Sequence, residues 1–93
     1  MVLITKDNNY KVYVHINKIN SKKYVGITCK DNVEHRWSHG NGYKANPHFY
    51  SAIQKYGWDA FDHIIIFKGI SREYAIKMEK LFIKMWSTQD TAY

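Results

Sequence analysis

Glu79 and Arg36 are the residues on which chemistry would rest. On a helical wheel of about 100° per residue, Glu79 falls between Ile83 and Trp86, while Lys77, Lys80, Lys84 and Glu73 gather on the other side of the same run. A carboxylate on the packed side of a helix is costly unless it is paired or binds a cation, so Glu79 is either a metal ligand or half of an ion pair. Taken by itself, the ion pair is the commoner case. Arg36 stands among His35, Trp37 and His39, a setting in which a guanidinium could hold a phosphate by two parallel hydrogen bonds. The plainer alternative is an exposed helix arginine. For His15, His39 and His48, taken one at a time, a surface or hydrogen-bonded structural role is the ordinary expectation. His35 and His39 stand four apart, but only Glu34 is at hand to complete a ligand set, so zinc is not expected there. The lone Cys29 has no partner for an internal disulfide or a Cys-x-x-Cys pair and reads as a reduced thiol at a strand end.

These residues lie in a chain of 93 with 45% apolar and 16% aromatic residues, enough for one compact domain spanning 1–93 but not for two. Lys plus Arg exceed Asp plus Glu by 14 to 8, a net charge of +6. Polyanions bind such surfaces through counterion release, which makes nucleic acid the leading partner, although charge alone also serves solubility. No run of about eighteen apolar residues exists, and Met1 to Asn9 lacks a basic stretch followed by an apolar one. Neither a membrane span nor a secretory signal is expected, and the cytoplasm is the default location.

The elements that must position the candidates follow from periodicity. Residues Tyr10 to Asn17 alternate, with Val12, Val14 and Ile16 on one side and Tyr13, His15 and Asn17 on the other, the period of a half-buried strand. A second short run, with Val25 and Ile27 opposite Tyr24, Gly26 and Thr28, completes a hairpin. If the register pairs the apolar faces, Tyr13 and Tyr24 share the polar one. Asp31 or Asn32 can cap a short helix through Glu34, Arg36 and Trp37, Glu34 three residues after Asp31 resembling a capping box, with Gly40 and Gly42 ending it. Asn46 followed by Pro47 starts another helix, with Phe49, Ala52, Ile53 and Tyr56 inside and Gly57 as its left-handed stop. The β-branched run in His63 to Phe67 suits a central strand covered on both faces. Ser71 caps a last helix from about Arg72 to Trp86, with Tyr74, Met78, Leu81, Phe82 and Met85 at helical spacing, and Asp90 to Tyr93 read as a frayed tail. The expected fold is α+β in the order β-β-α-α-β-α.

Lys11-Val12-Tyr13 followed by Tyr24-Val25-Gly26, with ten residues between the tyrosines, resembles the paired tripeptides of the GIY-YIG nuclease family. His35-Arg36-Trp37 resembles that family's arginine on its first helix. Lys55-Tyr56-Gly57-Trp58-Asp59-Ala60-Phe61 is similar to its helix-ending segment before the third strand, and Glu79 takes its acidic position. The likeness covers about Tyr10 to Trp86. It implies a three-stranded antiparallel sheet flanked by helices, with Tyr13, Tyr24, Arg36 and Glu79 converging as a nuclease site, and it reverses the odds on Glu79. Two features depart from the family pattern. Lys11 and Val12 replace the first glycine and isoleucine, and no asparagine follows the last helix before Tyr93, which implies a chain cut short or an absent role.

On this reading the chain is a metal-dependent endonuclease acting on nucleic acid, with DNA the first expectation. Mg²⁺ (or Mn²⁺) tolerates a single carboxylate because it keeps waters and takes ligands from phosphate, so Glu79 alone is the expected metal ligand. Arg36 would steady the phosphate charge, Tyr24 would take a proton from the attacking water and Tyr13 would orient it. His39 or His48 would assist proton transfer or hold phosphate. Sequence preference would need a separate recognition domain or partner. Two rivals are a non-catalytic module of the same fold that stacks bases on Trp37, Tyr43, Tyr50 and Trp58, and a structural domain in which Glu79 pairs with Arg36.

Overall fold

The computed structural model describes residues 9–93. In chain order they form strands β1 (Tyr10–Asn17) and β2 (Lys23–Thr28), helices α1 (Val33–Trp37) and α2 (Pro47–Tyr56), strand β3 (Phe61–Ile70) and helix α3 (Arg72–Thr88). This is the α+β order expected from periodicity. The helix starts are built by side-chain caps that accept otherwise orphaned backbone N–H groups. Asn32 accepts from Glu34 at 3.0 Å, Asn46 from Phe49 at 3.5 Å and Ser71 from Tyr74 at 3.1 Å. Because Asn32 and not Asp31 is the cap, the expected capping box does not form. Helix α1 also ends earlier than its glycines suggest: Ser38 turns left-handed at φ 47, and a 3₁₀ segment, Ser38–Tyr43, carries the chain toward α2.

The sheet is antiparallel with order β2-β1-β3, which corrects the expectation that the isoleucine-rich strand is central. Strand β1 takes the middle and is buried on both faces. Val12 and Val14 pack with Val25, Ala75 and Trp86 beneath the sheet, while Tyr13 joins Trp37, Tyr43, Phe49, Ile53 and Phe61 above it. β3 is an edge, and its Ile64 and Ile65 are 45% and 40% exposed. The alternation of valine with tyrosine, histidine and asparagine looked half-buried because polar side chains were read as wet. Here they are dry and hydrogen-bonded to side chains from other segments, Tyr13 and His15 to Tyr43 and Asn17 to Tyr93.

Helix α3 is rotated from the face its large apolar residues suggest. Ala75 and Trp86 are buried, with Met78 and Phe82 packed beside them, whereas Tyr74, Leu81 and Met85 are exposed. The tail is not frayed. Lys23 N–H donates to Thr91 C=O at 2.7 Å and Tyr93 N–H to Lys23 C=O at 2.9 Å, so the chain end runs parallel to the start of β2. The Tyr93 ring packs on Phe49 and Phe61, and its hydroxyl accepts from the buried Asn17 amide at 2.9 Å. Tyr93→Phe should therefore lower stability by about 1–3 kcal/mol, the cost of leaving a buried donor without a partner. A urea midpoint equal to wild type would show that Asn17 does not depend on this bond.

Candidate active site

A cleft of about 220 Å³ lies along β2, one of the two outer strands, where the two sides of the sheet meet. Tyr24 and Asn46 line it together with Glu79, Ile83 and Trp86 of α3 and Tyr93 of the tail. The α3 residues are spaced i, i+4 and i+7, so one helical face carries the carboxylate and its apolar neighbours to the same opening. Glu79 is half-buried, and burial raises its carboxyl above the usual range while neighbouring Lys80 pulls it down. It does not pair with Arg36, whose Nη1 donates to Gly42 C=O at 2.8 Å and whose guanidinium lies 4.8 Å from the centre of the Tyr43 ring. The ion-pair alternative thus fails at its proposed partner.

The register places Tyr13 opposite Gly26 and His15 opposite Tyr24, so both motif tyrosines lie on one face as expected. The Tyr13 ring crosses directly over Gly26: a Cβ there would sit 2.5 Å from Oη and 2.6 Å from Cζ of Tyr13. Glycine is needed at this position for space, since no side chain fits beneath the phenol. Tyr13 itself is 1% exposed and does not line the cleft, so it lies behind Tyr24. Burial raises both phenols. For Tyr24 the Asn46 side chain and then Arg36 lower it and Glu79 raises it; for Tyr13 the hydrogen bond shared with Tyr43 and then Arg36 lower it, and Tyr24 and Glu79 raise it. The four motif residues are thus within electrostatic reach of one another.

His39 and His48 are not brought into this cleft. His39 is exposed in left-handed backbone at φ 52, and His48 is exposed beside Tyr93, on a neighbouring groove with Lys22 and Lys55. Among the described residues no three His, Cys, Asp or Glu side chains form a set that could hold a metal ion by themselves. Glu79 fits the alternative of a hard cation held by one carboxylate, because its charge is disfavoured by burial and any bound cation would relieve that cost. Asp and Glu are absent from the rest of the cleft lining.

A family model described as the GIY-YIG catalytic domain matches residues 9–91. The chain belongs to the GIY-YIG family. Searches of the curated proteins and of the solved structures return no match. The GIY-YIG family is one of nucleases acting on nucleic acid, and the matched span takes in β1 and β2, which carry Tyr13, Tyr24 and the glycine beneath the first phenol. Among the described residues no helix is long and apolar enough to cross a membrane.

Sequence reasoning missed Asn46 as a cleft residue. It was legible only as a helix cap, yet the same side chain caps α2, lines the cleft beside Tyr24 and lowers the Tyr24 phenol against the effect of burial. Also missed was a buried polar row behind Tyr13. Tyr43 Oη lies 3.2 Å from Tyr13 Oη and 2.7 Å from His15 Nε2, and His15 Nδ1 lies 2.8 Å from His63 Nδ1. His15 is fully buried, and burial, then the charges of His63 and Arg36, lower its pKa to about 2.

Two outcomes follow. Gly26→Ala should displace the Tyr13 ring and cost about 1–3 kcal/mol, the usual range for overpacking; a stable variant with unshifted Tyr13 ring resonances would refute the close approach. In an unfolded chain His15 takes a proton near its ordinary pKa of about 6.5, which the folded chain refuses. Stability should therefore be full above about pH 6.5 and fall as the pH drops toward 2, by at most about 1.4 kcal/mol per pH unit. Urea titrations over that window should give a slope that His15→Gln flattens, and an unchanged slope would assign it to other groups.

Proposed function

We propose that this GIY-YIG domain is a metal-dependent endonuclease that hydrolyses phosphodiester bonds of DNA. One observation carries the reading: Glu79 from beneath the sheet and Tyr24 from above it line a single cleft. Glu79 would hold one Mg²⁺ or Mn²⁺, which when bound supplies positive charge to the phosphate and the leaving 3′-oxygen. The chain's own residues do the rest. Tyr24 faces the attacking water and takes its proton, assisted by the Asn46 amide and the Arg36 charge, both of which favour the phenolate against the cost of burial. Arg36 also contributes the counter-charge for the phosphate as negative charge builds on its oxygens. Tyr13, behind Tyr24, supports the site through its hydroxyl without touching substrate. His48, on the groove past Tyr93, is assigned to phosphate contact with Lys22 and Lys55, and His39 to the exposed surface around α1. The net charge of +6 supplies non-specific attraction, and sequence preference is assigned to a separate recognition domain or partner.

The rival of a non-catalytic stacking module draws on four aromatic residues, and two of them, Trp37 and Tyr43, are buried in the core where no base can reach. The deciding experiment incubates the chain with supercoiled plasmid, with Mg²⁺ or Mn²⁺ and with EDTA. Nicked or linear product should appear with metal only, and Glu79→Gln should reduce it by at least about a hundredfold while salt-sensitive DNA binding persists. Binding without product in the wild type would reject catalysis, and cleavage retained by Glu79→Gln would remove that carboxylate from the mechanism.

A further inference from the structure

Behind the site runs a chain of hydrogen-bonding groups that ends on a backbone carbonyl. From Tyr13 it passes through Tyr43, His15 and His63, and His63 Nε2 lies 3.2 Å from Trp58 C=O. Tyr13, Tyr43 and His15 are buried, and His63 on the edge strand β3 is partly exposed. Each hydroxyl has a single proton and each neutral imidazole a single N–H, so a donor at one link dictates the donor at the next.

The carbonyl can only accept, and this sets the direction. With His63 neutral, its proton is on Nε2, donated to Trp58, and its Nδ1 is a lone pair. His15 must then donate from Nδ1, its Nε2 must accept from Tyr43, and the Tyr43 oxygen is left to accept from Tyr13. The Tyr13 proton is committed inward, and its free lone pair faces away from Tyr43. Reversing the row with a neutral His63 would set its Nε2 lone pair against the carbonyl oxygen. Reversal becomes possible when His63 carries a second proton, because it then donates both to Trp58 and to His15. His15 donates from Nε2 to Tyr43, Tyr43 donates to Tyr13, and the Tyr13 O–H is free to point away. Between the two states one proton is added, at the Tyr13 oxygen, and three move along the row: that of Tyr13 to Tyr43, that of Tyr43 to His15 Nε2, and that of His15 Nδ1 to His63 Nδ1. The net charge rises by one, located on His63.

We propose that His63 is a positioning residue that sets, through His15 and Tyr43, whether the Tyr13 hydroxyl offers a lone pair or a proton toward the site. The catalytic consequence rests on the nuclease reading, whereas the coupling itself does not. Burial lowers His63 below its ordinary value, opposed by the Trp58 carbonyl, Glu34 of α1, Asp62 of β3 and Asp59 of the turn before β3. His15 faces it from β1, and the Trp58 ring stacks on it at 3.9 Å. Arg36 acts on His15 and further disfavours charge there, so the added proton stays on His63. The sign follows: above the His63 pKa Tyr13 presents a lone pair, and below it a proton.

The test reads tautomers rather than activity. Ring ¹⁵N shifts of the whole chain are followed by NMR from about pH 8 to about pH 5, the range that brackets histidine titration. His15 should keep one proton throughout while its N–H moves from Nδ1 to Nε2, with the midpoint of the His63 titration. The Tyr13 Cζ shift should follow the same midpoint, and Tyr43→Phe should remove that response while leaving the His15 change in place. In His63→Gln the His15 tautomer should stay constant across the range. A wild-type His15 tautomer that is the same at both ends, or that still switches in His63→Gln, overturns the proposal. The wild-type measurement alone decides it if the variant does not fold.

Discussion

Strand β1 carries Tyr13, His15 and Asn17 into the interior, and each brings a polar atom that water does not reach. A buried donor or acceptor without a partner costs about 1–3 kcal/mol, so three of them on one strand demand partners from elsewhere in the chain. The partners arrive from four other segments: Tyr43 from the 3₁₀ segment, His63 from β3, Tyr93 from the tail, and the Ile19 N–H from the turn after β1. Much of the upper half of the molecule is arranged by this requirement. The tail is tied down because Asn17 needs its hydroxyl, and Tyr43 is buried between Tyr13 and His15. Trp37 is the exception among the described residues: its ring packs against those of Tyr13 and His15, and its Nε1 is buried without an acceptor.

The same strand separates the two halves of the site. Glu79 belongs to the lower side, where α3 packs on valines, and Tyr24 and Asn46 belong to the upper side, where α2 begins. They meet because β2 is an outer strand and leaves its edge of the sheet open between them. A carboxylate at such an edge is buried enough to make its charge costly, yet it lines an opening to the surface. Arg36 is held rather than free: Gly42 accepts from it and Tyr43 lies under it, which restricts the guanidinium.

Much of this was legible. Caps at Asn46 and Ser71 and the Pro47 start placed two helices, because these signals are local chemistry between a side chain and the next turn. The facing of Glu79 toward Ile83 and Trp86 followed from helical spacing alone, and the shared face of Tyr13 and Tyr24 from pairing apolar sides of a hairpin. Strand order was misread because Ile64 to Ile66 are more apolar than Tyr13, His15 and Asn17. Hydrophobicity ranks side chains by their affinity for water when unpaired, and these polar groups are paired. Asn46 was read as a cap only, since nothing local reveals that its side chain also lines a cleft with a phenol on β2.

From sequence alone came the elements, their caps, the family tripeptides, and the side of α3 on which Glu79 lies, since each depends on residues a few positions apart. Tertiary structure decided that β1 and not β3 is central, that Asn46 and Tyr93 line the cleft, and that His15 joins Tyr43 to His63. The hydrogen bonds of His15 with Tyr43 and His63, and of Asn17 with Tyr93, link positions 28 to 76 residues apart. Periodicity reports which side of an element avoids water, but it does not report which distant group covers that side, and the chemistry of a buried polar atom is set by its partner.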